Sequence, residues 1–181
     1  MPDQPQRPWP IQPTPDPRAG RLKGTALTAL IMATVAATTQ FTTGFEGEKH
    51  KTYLDPVKIP TYCIGETENV DWSRVYTSGE CQTLLRARMA RDYAPKLVAC
   101  VPDLADPKRN LAFRALLDAS YNAGPAAACR SPMARAFNAG RWSDGCRAFV
   151  GWYETAKGFK LRGLVRRRAA ERDFCLTGKQ P

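Results

Sequence analysis

Gly44-Phe45-Glu46-Gly47-Glu48-Lys49-His50-Lys51-Thr52-Tyr53-Leu54-Asp55-Pro56-Val57-Lys58-Ile59-Pro60-Thr61-Tyr62-Cys63-Ile64-Gly65 is the stretch on which the fold turns. Pro56, Pro60 and Gly65 punctuate the β-prone run Ile59-Pro60-Thr61-Tyr62-Cys63-Ile64, a pattern of short strands joined by turns. Glu46 is expected near the end of a short helix, with Asp55 and Thr61 on the turn and hairpin that follow. Folding that turn back brings two carboxyl groups and one hydroxyl around a common cleft. Such a set suits glycosidic bond cleavage, where a protonated carboxyl donates to the leaving oxygen and an ionised one supports a water or the oxocarbenium-like transition state. The two carboxyls need opposite protonation at one pH, which burial of one and solvation of the other provides. Glu46, beside Phe45 and an apolar segment, is the candidate acid. Two carboxylates near a turn are by themselves a weak signal, because surface carboxylates are far commoner.

Beyond the hairpin the chain reads as helices. Thr77-Ser78-Gly79-Glu80 has the form of a capping box, with Thr77 as N-cap, and opens a helix expected to end near Pro95. Asp106-Pro107 supplies a second cap and a first-turn proline. The helix behind it turns Leu111, Ala112, Ala115, Leu116 and Ala119 inward until Gly124-Pro125 stops it. Further helices are expected over 133–138, 143–152 and 161–174. The fold class is therefore α+β, predominantly helical, with no internal repeat.

Upstream the character changes. Residues 1–20 carry seven of the 15 prolines and no apolar periodicity, so they read as a disordered spacer. Arg18, Arg21 and Lys23 then precede a charge-free stretch, 24–45, that contains Leu27, Leu30, Ile31, Met32, Val35 and Phe41. A basic flank before an apolar run is the layout of an export signal. As a helix this stretch spans about 33 Å, against a hydrocarbon core of roughly 30 Å. Its alanines and threonines make it weakly hydrophobic, fit to enter a bilayer and to leave it. The competing readings are a signal peptide cut after Val35 and Ala37, and an ordinary soluble helix, the least favoured. The expected division is a tail over 1–23, a signal-anchor segment over 24–44 and a catalytic domain over 45–181.

With 181 residues, 43% of them hydrophobic and 24% charged, the chain is neither wholly disordered nor a multi-span membrane protein. Its net charge of +10 arises entirely in the last 74 residues, which hold 15 Lys and Arg against 5 Asp and Glu. An anionic partner is implied. The run Lys157, Lys160, Arg162, Arg166, Arg167, Arg168 and Arg172 lacks a nucleic-acid motif or interleaved aromatics, so a solvated helix face is preferred to a nucleic-acid surface. Cys63, Cys81, Cys100, Cys129, Cys146 and Cys175 all follow the apolar stretch, which points to disulfides formed in an oxidising compartment. Without a close cysteine pair, and with His50 as the only histidine, a zinc site is disfavoured. His50 itself reads as a surface residue.

The order E-G-x₇-D-x₅-T-x₃-G from Glu46 to Gly65 resembles the active-site stretch of the phage lysozymes of glycoside hydrolase family 24. It is closer still to the lambdoid endolysins that carry a signal-arrest-release segment. Tyr76-Thr77-Ser78-Gly79-Glu80-Cys81 is similar to the opening of that family's long helix, and Ser120-Tyr121-Asn122-Ala123-Gly124 to its F/Y-N-x-G segment. Trp152, Gly163-Leu164 and Arg167-Arg168-x-x-Glu171 resemble its W…G-L-x-x-R-R-x-x-E ending.

The resemblance implies a lysozyme-like fold with a small N-terminal hairpin lobe and a larger helical C-terminal lobe. It implies a lysozyme activity on the bond between N-acetylmuramic acid and N-acetylglucosamine in bacterial peptidoglycan. Glu46 would be the general acid, Asp55 the base or electrostatic stabiliser and Thr61 the water-positioning hydroxyl, without cofactor or metal. An inverting course would set the carboxyls roughly 6.5–9.5 Å apart. A monomer is implied, tethered to the host inner membrane facing the periplasm, freed into it later, and functionally linked to a holin. Order and family spacing favour the bridges Cys63–Cys81, Cys100–Cys129 and Cys146–Cys175. With no cysteine in the anchor, activation by thiol exchange with it is not available. Cys63 and Glu66 depart from the pattern, standing where many members have Gly and His, and the 152–163 stretch is one residue longer. Arg167, Arg168 and Glu171 are read as ion pairs holding the helical lobe together. The alternatives are a lytic transglycosylase and an inactive wall-binding domain.

Overall fold

The computed structural model describes residues 20–55, 58–156 and 158–180; the spacer up to residue 19 and Lys157 lie outside them. The chain opens with α1 (Gly24–Glu46), followed by the hairpin strands β1 (Lys49–Leu54) and β2 (Pro60–Cys63). Then come α2 (Ser78–Arg88), a π-turn over Met89–Tyr93 and α3 (Ala94–Cys100). Two 3₁₀ turns lead into α4 (Asn110–Ala123), and α5 (Pro125–Cys129), α6 (Pro132–Asn138) and α7 (Trp142–Arg147) follow. A two-residue hairpin, β3 (Thr155–Ala156) with β4 (Phe159–Lys160), precedes α8 (Arg162–Thr177).

The charge-free stretch is one helix of 23 residues ending on Glu46, longer than the short helix expected there. It is long and apolar enough to cross a membrane, yet Val35 and Phe41 are buried in the core formed with the other helices. Phe41 packs on Phe174 of α8 at 5.6 Å between ring centroids. Threonines suit both settings, because Thr38, Thr39 and Thr43 donate to the carbonyls of Thr34, Val35 and Thr39, so their hydroxyls are satisfied within the helix. The same face also meets a polar row on α4. Asn110 donates to Thr34 at 2.8 Å, Arg114 to the Ala37 carbonyl at 2.7 Å, and Thr42 donates to Asp118 at 2.7 Å.

The central helix α4 buries Ala112, Ala115, Leu116 and Ala119, as its inward spacing predicts, together with Phe113 and Leu117, whereas Leu111, also expected inward, is 37% exposed in the first turn of the helix. Asp106 caps the turn ahead of it by accepting from the Lys108 N–H, and Gly124, at φ 86°, ends it. The Thr77–Glu80 capping box is formed, with both reciprocal hydrogen bonds in place. The helix after it does not stop near Pro95. The π-turn opens the hydrogen-bond ladder just before the proline, which then sits in the first turn of α3, where no backbone donor is required. The helix expected over 143–152 spans Trp142–Arg147: the chain leaves the helical ladder at Ala148, where ψ is −4°, and Gly151, at φ 88°, lies off the helical path before residue 152.

β1 and β2 pair antiparallel, with Tyr53 opposite Thr61 and Leu54 opposite Pro60. The segment 71–76 runs alongside, through the Thr52 hydroxyl on the Asp71 carbonyl and the Tyr76 N–H on the His50 carbonyl. The three bridges are Cys63–Cys81, Cys100–Cys129 and Cys146–Cys175, the pairing that the resemblance implied. They tie β2 to α2, α3 to α5 and α7 to α8.

Candidate active site

Gly47, at φ 72°, turns the chain out of α1 directly after Glu46, a conformation that a side chain would strain. β1 then carries the chain to Asp55 and back through β2 to Thr61. The Asp55 carboxylate accepts from the Ile59 N–H at 2.8 Å and so closes the hairpin tip. Thr61 is buried and donates to the Ile59 carbonyl at 3.0 Å. Asp55 at the tip and Thr61 on β2 are thus both bonded to Ile59, the first to its N–H and the second to its carbonyl.

Glu46 meets the helical lobe. Its carboxylate accepts from Arg167 of α8, and its side chain is 26% exposed. Arg167 is 4% exposed and forks its Nε and Nη2 onto the two oxygens of Asp118, each at 2.9 Å. The sequence reading set Glu46 against apolar surroundings; the structure adds a guanidinium, which itself lies 5.4 Å over the Phe45 ring. Burial pushes Asp118 up, but the Arg167 charge and hydrogen bonds overcome it and hold the carboxyl below its ordinary range. Tyr121 of α4 donates to the Ile64 carbonyl at the base of the hairpin, joining the lobes. Burial, then the nearby Glu46 charge, push its phenol up.

Cys63 and Glu66, the two departures, have structural roles. Cys63 stands at φ 53°, a left-handed position where a glycine is unstrained, and its bridge to Cys81 anchors it. Glu66 accepts from the N–H groups of Thr67 and Glu68 and from Arg88 of α2, fixing the turn behind β2. His50 is exposed, 3.3 Å from Glu48. A cavity of about 730 Å³ lies beside α2, walled by Tyr62, Arg74, Tyr76 and Glu80, and none of Glu46, Asp55 or Thr61 lines it.

Arg167, Asp118 and Tyr121 are the site residues that sequence reasoning did not assign to Glu46. Asp118 carried a readable signal. It lies among the inward positions of α4, between Ala115 and Ala119, and a carboxylate there requires a buried cation.

Among known proteins, a family model described as phage lysozyme matches residues 43–171. A SAR-endolysin of Bacteriophage PS119 is 33% identical over 141 residues, covering 76% of this chain and 80% of the relative. A SAR-endolysin of Pseudomonas phage phiKMV is 32% identical over 159 residues, 86% of this chain and 91% of its own. The solved muramidase domain of SpmX from Asticaccaulis excentricus superposes with a TM-score of 0.66 at 26% identity, over 78% of this chain and 95% of that one. With the helical lobe, the hairpin and the match all in register, the chain belongs to the phage lysozyme family.

Proposed function

We propose that the chain is a peptidoglycan-hydrolysing endolysin, a muramidase in which Glu46, Asp55 and Thr61 carry the reaction. Glu46 donates a proton to the glycosidic oxygen between N-acetylmuramic acid and N-acetylglucosamine as that bond breaks. Asp55 takes a proton from a water held by Thr61, and the water oxygen bonds to the anomeric carbon from the opposite face. The observation that carries this reading is the placement of Glu46 at the end of α1, immediately before the hairpin that has Asp55 at its tip and Thr61 on its second strand.

The apolar α1 supports a tethered form before release. While 24–44 spans the host inner membrane, Glu46 lies at the membrane boundary, away from Arg167, and Thr42 is away from Asp118. Release into the periplasm lets α1 dock on α4 and completes the site, without cleavage. Depolarisation by a holin is the trigger this reading assigns. The C-terminal positive charge attracts the anionic stem peptides of the wall.

Digestion of purified peptidoglycan followed by mass spectrometry tests the chemistry. Reducing muramic ends are expected, and anhydro ends would make the chain a transglycosylase. Activity retained in both Glu46→Gln and Asp55→Asn would remove these residues from the site. Fractionation with and without an uncoupler, with N-terminal sequencing, separates uncut release from cleavage near Thr38.

A further inference from the structure

α1 is held unevenly along its length. Its buried residues begin only at Thr34; over 24–33 the helix rests on the half-buried Leu27, Leu30 and Ile31, and Met32 is 52% exposed. The residues ahead of this weakly packed stretch are nevertheless bound. Leu22 donates its N–H to the Ala105 carbonyl at 2.9 Å. Arg21 Nε stands 2.5 Å from Asp103 Oδ1, with the two side chains 26% and 29% exposed. Gly20, at φ 107°, passes so close that an added Cβ would lie 3.2 Å from the Asp106 carboxylate.

The receiving surface is well anchored. Asp103 and Ala105 belong to the 3₁₀ turn Pro102–Ala105, whose Leu104 and Ala105 are buried, and Asp106 caps the turn that follows. The Cys100–Cys129 bridge ties down the end of α3 just before it. Residues 20–22 therefore meet a fixed edge of the helical lobe through a backbone bond and a charge-assisted one. α1 is thus fastened ahead of its first residue by this contact, midway by Asn110 on Thr34, and near its end by Thr42 on Asp118.

In a tethered form this contact does not exist. A charge-free helix over 24–45 spans about 33 Å against a hydrocarbon core of roughly 30 Å, and basic residues ahead of such a span stay on the cytoplasmic side. Arg21 and Asp103 then lie on opposite sides of the membrane. We propose that residues 20–22 and the Pro102–Ala105 turn form a latch that closes only after release and keeps the weakly packed start of α1 from returning to the bilayer. This rests on the reading of α1 as a membrane tether. The latch needs an uncut chain, because cleavage near Thr38 removes residues 20–22.

Two full-length variants test the latch. Asp103→Asn removes its anionic half without touching the basic flank. Leu22→Pro removes the backbone donor while leaving the flank charge and every residue of the helical lobe as they are, so it decides the matter if Asp103→Asn does not fold. Cells expressing each protein are fractionated before and after an uncoupler. All three proteins are expected in the membrane fraction beforehand. Afterwards the share remaining there should be about threefold to fivefold larger in either variant than in the wild type. Trypsin gives a second readout on purified released protein, since cleavage after Arg21 requires the latch to open: it should be slow in the wild type and faster in both variants. Equal partition after uncoupling, or equal cleavage in all three, overturns the latch alone. A released wild type that begins near Thr38 also overturns it. A wild type already soluble before uncoupling overturns the tether reading, and the latch with it.

Discussion

Thr42, one turn before Glu46, donates its hydroxyl proton at 2.7 Å to Asp118, the carboxylate that Arg167 grips with two nitrogens. The docking of α1 and the orientation of the arginine on Glu46 are thereby one event. A helix long and apolar enough to cross a membrane brings both Glu46 and a bond that steadies the arginine on which Glu46 rests.

Thr42→Val keeps the shape and removes that donor from a buried charge. The folded form is expected to lose about 2 kcal/mol of stability. Valine also favours the bilayer, so a larger share of the protein should remain in the membrane fraction after uncoupling. Unchanged melting together with unchanged fractionation would mean that the bond contributes nothing to docking.

Much of this was legible in the residues. The hairpin, the Thr77 cap, the α4 stripe and the Gly124 stop are local patterns, and local patterns need no knowledge of what packs on them. The docking of α1 was not legible in the same way. Its threonines favour a weak anchor over a core face, because hydroxyls such as those of Thr38, Thr39 and Thr43 back-bond inside their own helix and only Asn110, Arg114 and Asp118 of α4 reveal the second role. Arg167 and Arg168 read both as part of a solvated basic face and, with Glu171, as ion pairs of the helical lobe; the structure buries both in such pairs and so corrects the first reading, because α8 lies against α4, which sequence spacing does not say. The end of α7 was not legible either, because the chain leaves the helix at Ala148, a residue type that favours helix.

The buried carboxyls give stability a signed pH dependence. Glu171, raised in the folded state, contributes stability that is fully present below the ordinary glutamate value and is lost as pH rises through its folded value. Glu171→Gln has no such loss. Its melting temperature relative to wild type should therefore rise with pH above the ordinary glutamate value, and a difference that stays constant would mean that burial does not raise Glu171. Asp118, held low, works in the other direction: its contribution is present above the ordinary aspartate value and is lost as pH falls through its folded value.

Gly145 in α7 has no backbone need to be glycine, and an alanine there would gain about 1 kcal/mol of helix propensity. The Phe137 ring forbids it, because an added Cβ would come within 2.3 Å of a ring carbon. Phe137 is fully buried and stacked on Trp142 at 4.9 Å, so it has no room to retreat. Gly145→Ala should destabilise by about 1–3 kcal/mol. Equal or higher stability in urea titration would show that the ring moves freely.

Cys63 separates backbone strain from cross-linking. At φ 53° a residue with a Cβ costs roughly 1–2 kcal/mol that glycine does not incur, while the loop closed by Cys63–Cys81 restricts the unfolded chain. Removing the bridge with Cys63→Ala and Cys81→Ala leaves the strain and loses the constraint, so about 2–4 kcal/mol should disappear. Pairing Cys63→Gly with Cys81→Ala loses the same bridge and relieves the strain. Two effects then oppose, since glycine also frees the unfolded chain by roughly 0.5–1 kcal/mol. The steric term is the larger, so the glycine double variant should be the more stable of the two. If the alanine variant proves equal or better under oxidising conditions, the left-handed backbone at position 63 carries no cost, and the bridge acts on the unfolded chain alone.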